Sequence, residues 1–186
     1  MMPIEVELKF PLGTDTPTPD QMAEQLVTLG GVAKPVRKQD DHYYAHPVRD
    51  FAETDEALRI RADNGAARLT FKGPRLDEVA KTRQESETEV GSAEVAAEIL
   101  LALGFSPVRI VSKLRRPFEL QWNGLEVEAV IDDVVGLGVF VELEAMHDGD
   151  DHERIRDQLL SLADTLGLRH SERRSYLCLL LAQPST

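Results

Sequence analysis

The chain of 186 residues has one cysteine, Cys178, so it forms no internal disulfide and a reducing cytosol is its expected compartment. It lacks any run of ~18 apolar residues, so no membrane-spanning helix is expected. Its opening, MMPIEVELKF, carries acids where a secretory signal would carry basic and then apolar residues, which again points to the cytoplasm. Basic residues are in deficit: 21 Lys and Arg stand against 33 Asp and Glu, giving a formal net charge of -12. That balance repels phosphate backbones at long range and argues against nucleic acid as a partner. Repeats of ~20 to 50 residues and low-complexity tracts are absent, and the one proline-rich patch, Pro11 to Pro19, reads as a loop. What remains, 42% hydrophobic and 29% charged residues, is the composition of a single soluble domain over 1–186, long enough to bury a core without staples.

Alternation of period two is the strongest positive signal, because successive side chains of a strand point to opposite faces. From Ile4 to Phe10 the even positions are apolar and the odd ones charged, and Leu58-Arg59-Ile60-Arg61 and Leu69-Thr70-Phe71-Lys72 repeat the scheme. Thr82 to Glu89, Val111 to Arg115, Leu125 to Asp132 and Val139 to Glu144 read as further strands. Asn64-Gly65 signals a hairpin, and Gly136-Leu137-Gly138 is a turn between strands. Three segments have helical spacing. The first starts at Asp20 as N-cap and places Met22, Leu26 and Leu29 on one stripe before Gly30-Gly31. The second starts at Ser92 and runs through Val95, Ile99, Leu100 and Leu103, and the third covers 151–166 with Ile155, Leu159, Leu162 and Leu166 inward. Tyr176 to Leu181 is a short apolar run that periodicity leaves as helix or strand. The order predicts an α+β fold dominated by antiparallel hairpins.

The charged strand faces carry seven bases, Lys9, Arg59, Arg61, Lys72, Arg83, Lys113 and Arg115, and seven acids, Glu5, Glu7, Glu85, Glu87, Asp132, Glu142 and Glu144. In a sandwich these faces would be solvated and the apolar helix stripes would have little to cover. In a closed barrel the helices cover the apolar outside and the charges line the interior. The helices favour the barrel. Buried charges cost several kcal/mol each when unmatched, so such a lumen is expected to hold something ionic. Carboxylates without Cys or His suit hard divalent cations, Mg²⁺ or Mn²⁺, while Arg and Lys suit phosphate oxygens. A polyphosphate bridged to a metal satisfies both sets.

Glu5-x-Glu7-x-Lys9 resembles the signature of the CYTH, or triphosphate tunnel metalloenzyme, superfamily, and the resemblance continues in order from about residue 3 to 181. It is carried further by Ala57-Leu58-Arg59-Ile60-Arg61, Leu69-Thr70-Phe71-Lys72-Gly73-Pro74, Arg83-x-Glu85-x-Glu87 and Lys113-x-Arg115. Asp132-Asp133-x-x-Gly136-Leu137-Gly138-x-Phe140-x-Glu142-x-Glu144 and Ser175-Tyr176 complete it, and the whole is most similar to the class IV adenylyl cyclase branch. Asp40 to Tyr44 matches its block only loosely, and Phe51 to Glu56 is more acidic than the family pattern.

The resemblance implies an eight-stranded antiparallel β-barrel, a tunnel, with helices packed on its outside. It implies metal-side carboxylates at Glu5, Glu7, Asp132, Glu142 and Glu144, and phosphate-side cations at Lys9, Arg59, Arg61, Lys72, Arg83, Lys113 and Arg115. Glu5, Glu7 and Lys9 of the opening motif are the expected catalytic residues, and Glu85 and Glu87 a supporting pair. The implied activity is metal-dependent conversion of ATP to cyclic AMP and pyrophosphate. The alternatives are hydrolysis of inorganic or thiamine triphosphate, or a binding module without catalysis. A homodimer is the implied assembly.

Other candidates are weaker. His42 and His46 flank an extended segment where their spacing does not converge on zinc, and His147 and His152 border an acidic loop. Cys178, in an apolar run, is expected to be a buried small hydrophobe. Gly136-x-Gly138 joins strands and so is no dinucleotide fingerprint. Tyr176 fits a family position and a packing position equally. The fourteen face residues cancel in charge, so the acid excess lies outside the expected site.

Overall fold

The computed structural model describes residues 4–74, 81–147 and 151–184, with the side chains at 81, 82 and 147 also outside the description. Among the described residues there are nine strands: β1 (Ile4–Pro11), β2 (Val32–Ala33), β3 (Arg37–Ala45), β4 (Ala57–Asp63), β5 (Ala66–Lys72), β6 (Lys81–Val90), β7 (Ser106–Trp122), β8 (Leu125–Val134) and β9 (Gly138–His147). Eight of them close a barrel in the order β7-β3-β4-β5-β6-β1-β9-β8, with β8 pairing back onto β7. Every pairing is antiparallel. The ninth, β2, adds outside the ring against Phe118 and Glu119 of β7.

Turn chemistry explains the hairpins. Asn64 and Gly65, at φ 48° and 92°, make the tight turn between β4 and β5, and Asn123-Gly124 does the same between β7 and β8. The 17 residues of β7 allow its first half to pair with β3 and its second half with β8, which closes the ring.

Helices α1 (Pro19–Thr28) and α4 (His152–Thr165) cover the outside of β1, β8 and β9. Val6, Leu8 and Phe10 of β1 meet Met22, Leu26, Ile155, Leu159 and Leu162 there, all at most 3% exposed. Each fully buried side chain of this size contributes ~1.5–3 kcal/mol relative to exposure. Strand β1 is thus buried on its apolar face by helices and on its charged face by the tunnel. Helix α3 (Ala93–Ala102) lies over β4 and β5, and α2 (Phe51–Thr54) is a single turn between β3 and β4. The last helix, α5 (Tyr176–Leu181), packs Tyr176 and Leu180 against Tyr43, Val111, Val134 and Phe140 at one end of the tunnel. None of the helices among the described residues is long and apolar enough to cross a membrane.

Two local expectations change. Helix α1 is capped by Thr18, whose side chain accepts from Gln21 N–H while Gln21 reaches back, a capping box with Pro19 in the first turn; Asp20 is inside the helix. Ser92 does cap α3, but the buried side of that helix is Leu100 with Ala93, Ala96 and Ala97. Small residues let the helix approach the barrel closely, and Val95, Ile99 and Leu103 are left outside. Strand β3 carries little apolar alternation because Lys38, Asp40 and His42 occupy a poorly covered outer face. Of the acidic loop between His147 and His152, residues 148–150 lie outside the described residues.

Candidate active site

Strand alternation turns the charged faces inward around a cavity of about 1780 Å³. All seven expected bases line it, as do Glu5, Glu7, Glu85, Glu87, Glu142 and Glu144. Asp132 lies behind the wall with 0% exposure, and Lys9, at 1%, is nearly as deep. Asp133, one residue on from Asp132, is exposed on the outer face, as alternation requires.

One side of the tunnel is a wall of bases held by acids. The Arg115 guanidinium donates from Nε and Nη2 to the two oxygens of Asp132 at 2.8 and 2.7 Å, and from Nη2 to Glu142 at 2.6 Å. Arg61 is held in the same bidentate way by Asp41, at 2.6 and 2.9 Å, and Arg59 Nη1 reaches that carboxylate at 3.3 Å. Lys113 Nζ stands between the two aspartates, 3.4 Å from Asp132 and 3.7 Å from Asp41. Burial works against ionisation of these acids, but the guanidinium groups and Lys113 outweigh it. Asp41 is held well below the usual carboxylate range, and Asp132 and Glu142 at about 2. Lys113 is lowered by burial and by neighbouring Arg115. Arg59 and Gln39, both lining the cavity, bury Nε and Oε1 with no partner among the described residues.

The opposite corner is built of acids facing acids. Glu5, Glu7 and Glu144 each bring a carboxylate oxygen to within 4.8 Å of the other two. The register explains it: Glu7 is paired with Glu144 across β1 and β9, and Glu5 is two residues along on the same face. Lys72 Nζ binds both oxygens of Glu5 at 2.8 and 2.6 Å and Glu85 at 2.9 Å. Burial, with Glu85 and Glu7, still prevails over Lys72 and pushes Glu5 up to about 7. Glu144 is raised well above the carboxylate range by burial, because Arg115 at 3.8 Å does not offset Glu142, Glu5 and Glu7. An all-oxygen cluster of this kind suits a hard divalent cation, whose binding would release the protons that burial and repulsion favour on Glu5 and Glu144.

The remaining expected residues are more dispersed. Lys9 Nζ donates to the Arg174 carbonyl and lies 4.2 Å from the Tyr176 ring centre, while the Tyr176 hydroxyl donates to Asp132 at 3.3 Å. Lys9 therefore faces the C-terminal segment, whose residues 175–178 line the cavity. Arg83 donates to the Asp55 carbonyl at 3.0 Å, which ties the α2 turn to the tunnel. Glu85 supports Lys72, and Glu87 accepts from Thr70 at 2.9 Å and Arg68 at 3.3 Å.

Asp41 is the principal residue that sequence reasoning missed. Its only signal was parity with Gln39 and Tyr43 in a segment without apolar alternation. Cys178 is exposed, contrary to expectation: Tyr176 and Leu180 take the inward face of α5 and leave Cys178 on a flank at the tunnel mouth. His46 Nδ1 accepts from the backbone N–H groups of Val48 and Arg49, at 3.1 Å each, which assigns it to a turn.

Comparison with known proteins places these features in context. The model of the CYTH domain family matches residues 3–176. A Methanocaldococcus jannaschii protein named "Putative adenylate cyclase" is 36% identical over 177 residues, covering 94% of this chain and 97% of that protein. A solved structure from Pyrococcus horikoshii is 38% identical with a TM-score of 0.83, covering 95% of this chain and 98% of that one. A Hippeastrum protein described as having a dominant triphosphatase activity has the same fold at 19% identity, with a TM-score of 0.66 and 97% and 96% coverage.

Proposed function

The chain belongs to the CYTH domain family, and on that premise we propose that it is a divalent-metal-dependent enzyme acting on a triphosphate in the tunnel. The reading favoured is class IV adenylyl-cyclase-like conversion of ATP to cyclic AMP and pyrophosphate. The single observation that carries it is the apposition of the Arg59, Arg61, Lys113 and Arg115 wall to the Glu5, Glu7 and Glu144 corner across one cavity. Family membership narrows the chemistry, and the cyclase name of the 36% identical relative favours ATP.

In this reading Glu5, Glu7 and Glu144 hold Mg²⁺ or Mn²⁺. Held there, the cation would supply Lewis acidity that favours ionisation of the attacking hydroxyl. The wall bases bind the phosphate oxygens, Arg61 and Arg115 already oriented by their aspartates, so little reorganisation remains when the substrate arrives. The ribose 3′-hydroxyl gives its proton to solvent water, its oxygen attacks the α-phosphorus, the bond from that phosphorus to the oxygen bridging to the β-phosphate breaks, and the electron pair leaves with pyrophosphate. Lys113 and the arginines neutralise the charge that develops on that leaving group. Lys72 bridges Glu5 and Glu85 and couples the acidic corner to the cationic wall. Glu85 and Glu87 act as supports for Lys72, Thr70 and Arg68.

A second reading, hydrolysis of inorganic or thiamine triphosphate, is favoured by the uniformly phosphate- and metal-directed chemistry of the tunnel, which serves equally well to aim water at a terminal phosphorus. Incubation with ATP, inorganic triphosphate and thiamine triphosphate, each with Mg²⁺ or Mn²⁺, separates the two by product. Cyclic AMP and pyrophosphate are expected from ATP. Orthophosphate without cyclic AMP overturns the cyclase reading, and no turnover of any of the three overturns the enzyme.

A further inference from the structure

We propose that Asp41 is a positioning residue of the phosphate clamp, which fixes Arg59, Arg61 and Lys113 in the geometry that receives a triphosphate. The inference rests on the triphosphate reading above and extends it to a residue that never touches the ligand. Asp41 is 1% exposed and sits behind the cavity wall on β3, between the strand of Arg61 and the strand of Lys113. Its register partners are Arg61 on β4 and Val111 on β7, so its carboxylate lies under both sets of bases.

The contacts form an ordered series across four adjacent strands: Arg61 on β4, Asp41 on β3, Lys113 on β7 and Asp132 on β8, with Arg115 of β7 gripped by that second aspartate. Charges alternate along it, with a positive group at each end. Each arginine is held side-on through Nε and Nη2, which fixes the plane of its guanidinium. Lys113 touches both aspartates and joins the halves. Without Asp41, the Arg59, Arg61 and Lys113 cations would share a buried space with no anion between them and would move apart.

This role has an unusual sign. A carboxylate that served only to neutralise charge would weaken anion binding, so removing it would tighten the binding of phosphate. A carboxylate that positions the bases does the reverse. Asp41→Asn keeps shape and volume and removes the charge. Calorimetric titration with inorganic tripolyphosphate is therefore expected to show affinity at least about tenfold weaker in Asp41→Asn than in the wild type. In steady-state turnover KM is expected to rise by a similar factor with kcat changed less than about threefold, since the clamp binds ground and transition states alike.

Arg61→Lys keeps the charge but loses the second hydrogen bond to Asp41, and is expected to weaken tripolyphosphate binding to a similar extent. It also serves as the test should Asp41→Asn fail to fold. The double variant is expected to be no weaker than the worse single one, because both changes break one unit. Wild-type protein that fails to bind tripolyphosphate overturns the triphosphate reading itself. Wild-type binding with unchanged or tighter binding in Asp41→Asn, unchanged binding in Arg61→Lys, or additive losses in the double variant overturns the role of Asp41.

Discussion

Glu142 and Glu144 stand two residues apart on the same inward face of β9, and burial acts on both, yet their protons behave in opposite ways. Glu142 accepts from Arg115 at 2.6 Å and its carboxyl is held at about 2. Glu144 is 3.8 Å from the same guanidinium and faces Glu5 and Glu7, and its carboxyl is raised well above the usual range. One residue type on one strand thus serves two purposes. Where acids meet bases, Asp41, Asp132 and Glu142 are each held ionised by a neighbouring cation; where acids meet acids, the proposed reading completes the cluster with a metal ion. The tunnel is the sum of these two regions, and each implies a different response to change.

The largest response is expected where the pairing is complete. Asp132→Asn removes the charge that faces Arg115 and Lys113, and breaking a buried pair from one side costs about 3–5 kcal/mol. Urea unfolding at neutral pH measures this, and a loss below about 1 kcal/mol would break the comparison. In the acidic corner the expected cost falls on function. Glu144→Gln should reduce Mn²⁺-dependent turnover about 100-fold, equivalent to about 2.7 kcal/mol, while metal-free stability stays level or rises because an amide needs no proton to be buried there. Turnover close to wild type would remove Glu144 from the cation site.

pH separates the regions further. Glu5 carries a proton to about pH 7 when folded but only to its ordinary 4.5 when unfolded. Between those values the native state binds more protons, so metal-free stability falls as pH rises, and Glu144 acts in the same direction. Asp132 and Glu142, held at about 2, contribute stability that is present above their ordinary range and lost as pH falls toward 2. Metal-free protein should therefore be more stable at pH 5.5 than at pH 8, by on the order of 2 kcal/mol, and Mn²⁺ should stabilise it more at pH 8. Equal midpoints at both pH values would contradict the assignment of protons to the corner. The smallest effect is expected from Glu142→Gln: Arg115 keeps Asp132, so the loss is that of one charge-assisted hydrogen bond, about 1.5 kcal/mol by the same unfolding assay. A cost equal to that of Asp132→Asn would mean that the two acids are interchangeable.

Much of this was legible in the sequence because burial writes alternation into strands. Strands β1, β4, β5, β8 and β9 face helices on one side and charge on the other, so Val6, Ile60 or Leu143 alternate with Lys9, Arg61 or Glu142 without ambiguity. Strand β3 brings Tyr44 to Leu100 of α3, but Lys38, Asp40 and His42 blur its period along the rest of that face; Asp41 was lost in that blur. The roles of Asp132 and Glu144 look alike in sequence because alternation reports the face and not the distance. Only closure of the barrel puts Asp132 against Arg115 and Glu144 against Glu5 and Glu7. Helix α3 shows the same limit: its most hydrophobic stripe, Val95, Ile99 and Leu103, is outside, because close approach to the sheet requires alanine.

The division of labour between the two regions is tested most directly by calorimetric titration of the protein with Mn²⁺ at pH 6.5, in two buffers of different ionisation enthalpy. The account predicts binding of Mn²⁺ with release of about one to two protons per ion, taken from Glu5 and Glu144, and loss of that signal in Glu144→Gln but not in Glu142→Gln. Mn²⁺ binding without proton release, or with equal loss in the two variants, would contradict it.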